Sequence, residues 1–298
     1  EEINKLGTKL NDAVRGLSPE DIVIYGKTGS GKSLVVKHVT HGAVQASDPN
    51  VELGRAYIDC NEDSTETQAV RELVESLNDE SITGINVPYT GLATSQYYKY
   101  LWDVLDKLYD SVIIILDEID LMDDDKILMA LSRAEESGKT DCSIGVIAIS
   151  NKISYVDSLN ERTKSSFQHQ DILFKPYDAD QLGSIMENRR DAFQDGVLTD
   201  DVIPLTSALA AQEHGDARKA IDILRHAGEV ARENESDQVT EEHVRQAQTH
   251  AEKDRFRELI RTSPQQAKVI LHAIATLSVS SERKNPFRRK RCTNDMKN

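Results

Sequence analysis

The residues best suited to chemistry lie in two short runs. The first is Gly26-Lys27-Thr28-Gly29-Ser30-Gly31-Lys32-Ser33, set between the apolar DIVIY and LVVKHVT. It is a full Walker A pattern with a strand-like run before it and a helix-like run after it. Its glycines let backbone N–H groups turn inward onto phosphate oxygens, and the helix N-terminus adds its positive dipole. All eight residues from Gly26 to Ser33 are expected to line a phosphate cradle. Within it Lys32 reaches the terminal phosphates and the Ser33 hydroxyl holds Mg²⁺. The second run is Ile113-Ile114-Ile115-Leu116-Asp117-Glu118, a buried strand ending in acids. Asp117 is expected to bind Mg²⁺ directly or through water. Glu118 is expected to orient and deprotonate an attacking water, the base role in phosphoryl transfer.

The nucleotide is expected to be ATP, with ADP as its product. The DEID form of the second run favours it. So does the lack of a guanine-reading NKxD, because Asn151-Lys152 is followed by Ile153 and Ser154. Asn151 ends another apolar run; there it either caps the strand or hydrogen-bonds the γ-phosphate or the water. Arg218, in GDARKAID, sits near the start of a helix, where a lone Arg is most often a solvated surface charge.

These residues need a frame. Short β-branched runs at 21–26, 55–61, 111–120, 144–151 and 171–177 read as strands. Helical patterns at 33–46, 65–79, 94–109 and 125–137 lie between them. Strands alternating with helices imply a parallel, right-handed α/β sheet covered on both faces. After Tyr177 the strand signal stops, and 178–195, 200–213, 216–234 and 240–261 all read as helices. A further helix at 263–277 starts with Ser263 as N-cap and Pro264 at its first position. The expected division is 1–176 for the nucleotide-binding base, 177–255 for an all-α lid and 256–298 for a terminal segment.

Composition narrows the setting. The chain has 298 residues, a net charge of −15 and 5% aromatics, so its cores should be aliphatic. No apolar run approaches the roughly 18 residues of a membrane span, and no signal peptide opens EEINKLGTKL. That opening lacks Met and is expected to be trimmed or partial. Cys60, Cys142 and Cys292 have unrelated spacings and read as free thiols in a reducing cytoplasm. The acidity argues against phosphate contacts on its face, yet it is spread along the whole chain, as in proteins adapted to high salt. The stretch 282–298 inverts it, with seven Lys/Arg against two acids.

A strand-end Asn followed by an all-α domain with an Arg near a helix start is the layout of AAA+ ATPases. YGKTGSGKS, ILDEID, ISN at 149–151, SSF at 165–167, PYDADQL at 176–182 and GDARKAID together closely resemble archaeal replication initiators of haloarchaeal type. Those proteins are related to the origin recognition complex and the cell division control proteins. VPYTGLATSQYYKYLWDVLD at 87–106 is similar to the extra helical insertion of that clade. The likeness runs from about residue 1 to about 275. It implies an ATP-controlled protein that recognises origin double-stranded DNA, acts with other initiator subunits, helps load the replicative helicase and hydrolyses ATP slowly as a switch. It places Asn151 at the sensor-1 position and Arg218 at sensor 2. Tyr177 and Arg189 fall at lid-proximal positions lining the nucleotide pocket, Tyr177 either beside the adenine or packing the domain junction. Arg162 is a candidate arginine finger reaching a neighbouring subunit, or a surface charge; many AAA+ proteins carry the Arg where this chain has Ser166.

One departure stands out. The family continues into a winged helix that grips DNA. Here a winged-helix start, TSPQQAKVILHAIATL, is expected to break off into a disordered basic tail, as in a truncated or frameshifted product. That tail either contacts phosphates or is an accident of frame. The resulting alternative is a truncated regulatory paralogue that binds nucleotide and other initiators but scarcely binds DNA. A signalling or transport ATPase fits neither the lid nor the insertion.

Overall fold

The computed structural model describes residues 2–213 and 215–280. The chain divides into two compact units, 1–194 with 203–222, and 195–202 with 223–298.

The first unit is built on five parallel strands: β1 Asp21–Gly26, β2 Leu53–Asp59, β3 Ser111–Asp117, β4 Ser143–Ser150 and β5 His169–Phe174. Their spatial order is β2-β3-β4-β1-β5. β1 lies between two later strands, with Ile24 opposite Ile149 of β4 and Ile172 of β5. Every residue of β3 is buried. An unbroken apolar strand is the signature of a sheet covered on both faces, and alternate residues serve the two covers. Ile22, Ile24, Ile113, Ile115, Ile147 and Ile149 share one core with Leu6, Ala13 and Val36. These last three come from α1 Glu2–Lys9, α2 Asn11–Val14 and α3 Lys32–Gln45. Ile58, Ile114, Leu116, Val146 and Ala148 share the other core with Leu73, Leu101 and Leu128. Those belong to α4 Glu66–Leu77, α6 Thr94–Leu108 and α7 Lys126–Ser132; α5 Glu80–Thr83 lies between α4 and α6. α8 Tyr155–Ser158 and α9 Glu161–Ser166 join β4 to β5.

The helix starts are written locally. Thr65 accepts the backbone N–H of Gln68, whose side chain returns the bond, so a capping box opens α4. Asp178 and Gln181 do the same for α10 Ala179–Glu187.

Among the expected elements that are shorter in the structure, three have a visible cause. The strand expected over 111–120 stops at Asp117, because Glu118 takes a left-handed backbone (φ 53°) that starts a 3-10 turn over Ile119–Leu121. The helix expected over 125–137 ends at Ser132. The next residues form turns that close at Gly138, where a positive φ of 62° ends any helical path. The helix expected over 178–195 is α10 followed by a 3-10 turn, Arg190–Ala192. α1 and α2 are present where sequence periodicity gave no expectation.

α11 Val202–Glu213 and α12 Ala217–Glu233 each carry residues of both units, and α13 Glu241–Thr262 and α14 Gln265–Ser280 lie in the second. The second unit's buried residues include Leu198, Leu224, Ala227, Val239, Val244 and Ala247. Main-chain bonds from Thr199 to Val239 and from Val239 to Val197 tie its two ends together. The basic stretch 282–298, with Cys292 and the expected tail, lies outside the described residues. No helix among the described residues is long and apolar enough to cross a membrane.

Candidate functional site

β1, β3 and β4 end side by side, so their carboxyl ends bring the chemically equipped residues to one crevice. Ligands of open parallel sheets sit at such places. The loop from Gly26 leaves β1 and enters α3. Gly29 and Gly31 both have positive φ, 78° and 82°. Gly31 caps α3 without any side-chain acceptor, which leaves the helix's first N–H groups to an outside anion. A Cβ at Gly29 would collide with the Asp216 carboxylate, and one at Gly31 with the Tyr177 hydroxyl. The loop is therefore closely embraced by PYDAD and GDAR, and only glycine fits at these two points.

Lys32 is 5% exposed. Its ammonium folds back onto the Gly26 and Lys27 carbonyls (2.8 and 2.9 Å) and the Asn151 Oδ1 (2.9 Å). Burial pushes its pKa down and Arg218 adds to this, while Asp117, Glu118 and Asp120 pull it up. Asn151 Nδ2 donates to Glu118 Oε1 at 3.3 Å, so Lys32, Asn151 and Glu118 form one chain of hydrogen bonds. Asp117, 5% exposed, accepts the Glu118 N–H on Oδ1 (2.9 Å) and the Tyr57 hydroxyl on Oδ2 (2.6 Å). Asp120 accepts from the Asn151 N–H and the Ser150 hydroxyl, which fixes the end of β4.

α12 approaches the loop head-on. Its Ala217 N–H donates to the Gly29 carbonyl at 3.2 Å. Asp216 caps it by accepting the N–H groups of Arg218 (2.8 Å) and Lys219 (3.3 Å). Arg218 is thereby close enough for its charge to act on Lys32.

The structure thus gathers Gly26 to Ser33, Asp117, Glu118, Asn151, Tyr177 and Arg218. It does not gather two others. Arg162 is exposed in the first turn of α9, and Arg189 is exposed after α10. Tyr57, Asp120 and Asp216 are site residues that motif reading passed over. Asp120 and Asp216 lie inside motifs already singled out, but nothing in AYIDC marks Tyr57.

A second cavity, of about 480 Å³, lies between α6 and α7 and the turns after α7. Trp102, the chain's one Trp, stacks on Tyr98 there with ring centroids 5.5 Å apart. Lys99, Arg133 and Lys139 line the same cavity, with Arg133 paired to Glu136 and the Tyr98 hydroxyl donating to Glu66.

Residues 19–151 match the model of the AAA domain, and 183–249 match the Cdc6 AAA+ ATPase-type lid domain. An ORC1-type DNA replication protein of Halobacterium salinarum is 69% identical over 281 residues, which span 94% of this chain and 68% of that protein. The chain belongs to the ORC1-type DNA replication proteins. An ORC1-type protein of Haloarcula marismortui is 45% identical over 96% of this chain and 69% of its own. Among solved structures, the Aeropyrum pernix ORC1 protein in complex with DNA superposes with a TM-score of 0.75 at 35% identity, covering 94% of this chain and 72% of that one. The AAA+ base and Cdc6-type lid expected from the motifs are the family's own pair of domains.

Proposed function

We propose that this chain is an ATP-binding replication initiator that recognises origin double-stranded DNA, acts with other initiator subunits and helps load the replicative helicase. ATP hydrolysis is slow and serves as its switch. The observation that carries the reading is the convergence of Lys32, Asp117, Glu118, Asn151 and the Arg218 end of α12 on one glycine loop. Membership of the ORC1-type family supports the DNA side.

The residues fit a magnesium nucleotide. The ammonium of Lys32 rests on loop carbonyls and an amide oxygen, ready to exchange them for phosphate oxygens. Ser33 and Asp117 are the residues that would hold Mg²⁺, which neutralises phosphate charge when bound. Glu118 would take the proton of the attacking water, and Asn151 holds Glu118 in place. Tyr177 and Arg218 would report occupancy of the loop to the helices that follow them. Arg189 and Arg162 remain proposals for the nucleotide pocket and for a neighbouring subunit.

Footprinting on origin DNA, beside ATP binding by wild type and Lys32→Ala, tests this. Protection with wild type and loss of ATP binding in the variant are expected. ATP binding without any protection at moderate salt turns the reading to a regulatory paralogue. Full ATP binding by Lys32→Ala overturns the site.

A further inference from the structure

Asp117 is not free to turn. A carboxylate offers about four lone-pair positions over its two oxygens, and the protein engages both oxygens. Oδ1 takes the Glu118 N–H at 2.9 Å and Oδ2 takes the Tyr57 hydroxyl at 2.6 Å. The first bond is local to the strand end. The second comes from a different strand. In the register of β2 against β3, Asp59 stands opposite Asp117 and Tyr57 stands opposite Ile115. The phenol therefore reaches diagonally forward along the same face, a span a shorter hydroxyl side chain would not cover.

Tyr57 is itself held. The Lys37 ammonium lies 3.7 Å from the centroid of its ring, a cation–π contact. Lys37 follows Ser33 by four residues on α3, so both project from one face of that helix. One helix face thus carries a candidate Mg²⁺ ligand and the clamp on the residue that orients the other candidate ligand.

We propose that Tyr57 is a positioning residue for the metal site. Its hydroxyl locks the Asp117 carboxylate, which would hold the carboxylate's remaining lone pairs in fixed directions for Mg²⁺ when bound. Without it the carboxylate would be held on one oxygen alone, and rotation about this sp³–sp² bond is soft. Groups that orient a metal ligand commonly alter metal affinity by about 10–100-fold when removed. The inference rests on the nucleotide-site reading above.

Titration of a fluorescent ATP analogue, first in EDTA and then at fixed nucleotide with increasing Mg²⁺, tests it in wild type, Tyr57→Phe and Lys37→Met. Tyr57→Phe removes one oxygen and keeps the ring. It is expected to leave affinity in EDTA within about twofold and to raise the Mg²⁺ midpoint about tenfold. Lys37→Met is expected to shift the midpoint in the same direction by a smaller factor. In an Asp117→Asn background the effect of Tyr57→Phe is expected to vanish, because two residues acting through one contact are non-additive. A Tyr57→Phe midpoint equal to wild type overturns the proposal while leaving the nucleotide site standing. Equal losses with and without Mg²⁺ also overturn it, because they make Tyr57 a packing residue. Wild-type protein that binds no analogue in either condition overturns the nucleotide reading, and this inference with it.

Discussion

Glu118 is held by three features at once: a left-handed backbone at φ 53°, the Asp117 carboxylate on its N–H and the Asn151 amide on its carboxylate. A non-glycine residue in that conformation carries strain of roughly 1–3 kcal/mol and persists where the surroundings fix it. Its proposed role is that of a general base, so Glu118→Gln is expected to slow phosphate release by about 10²–10⁴-fold while ATP affinity stays near wild type, as read by a phosphate sensor and by analogue binding. Asp21, at the other end of β1, makes a different prediction. Burial raises its pKa from 3.8 to about 6, against the opposing pull of the Val146 N–H, Ser132 and His169. A carboxyl whose folded pKa lies above its unfolded one stabilises most below about pH 4, and that contribution is lost as pH rises through about 6. Asp21→Asn keeps the acceptor for Val146, so it is expected to raise Tm by about 2–4 °C at pH 7.5 and to have no effect at pH 4, by thermal melts across pH.

At the scale of elements, Gly215 lies two residues before α12, whose start meets the phosphate loop. Its φ is +65°, and a Cβ there would run into the Tyr177 carbonyl and the Pro176 ring. Gly215→Ala is expected to lower Tm by several degrees and to weaken ATP-analogue binding. Unchanged binding at unchanged Tm would mean that the α12 start does not shape the loop. Much of this layer was legible in the sequence, for stated reasons. The β-branched runs at 21–26 and 144–151 match β1 and β4 closely because strands buried on both faces are spelled by composition alone. The loop, Asp117 and Glu118 stood out because the expected phosphate and Mg²⁺ chemistry asks for those residue types at that spacing. The end of α7 was not, since RAEESGK is polar enough to suit either an exposed helix or a chain of turns, and local hydrogen bonds chose the turns. Tyr57 was invisible for another reason. Its partner lies 60 residues away, and only the β2–β3 register brings the two together.

At the scale of the whole molecule, a net charge of −15 repels DNA in general, so any binding to it must be local. Lys99 and Lys139, which line the cavity at Trp102, offer one such local site to test. Adding duplex origin DNA is expected to change the fluorescence of this sole Trp. Replacing Lys99 and Lys139 with Ala is expected to flatten the dependence of log affinity on log salt by about 0.9 for each phosphate that is no longer neutralised. An unchanged slope would place the DNA-binding surface elsewhere.

The position of β1 has a consequence for how the protein is made. This strand leads straight into the phosphate loop. Its neighbours β4 and β5 come much later; the bond from the Val146 N–H to Asp21 alone spans 125 residues. At roughly 5–20 residues per second the ribosome takes several seconds or longer to deliver them. Until then β1 has no partner on either side, and closing so long a loop makes its pairing intrinsically slow. The nascent chain therefore carries an apolar, unpaired DIVIYG until β4 has emerged. The loop that follows β1 is thus made well before the strands that flank it.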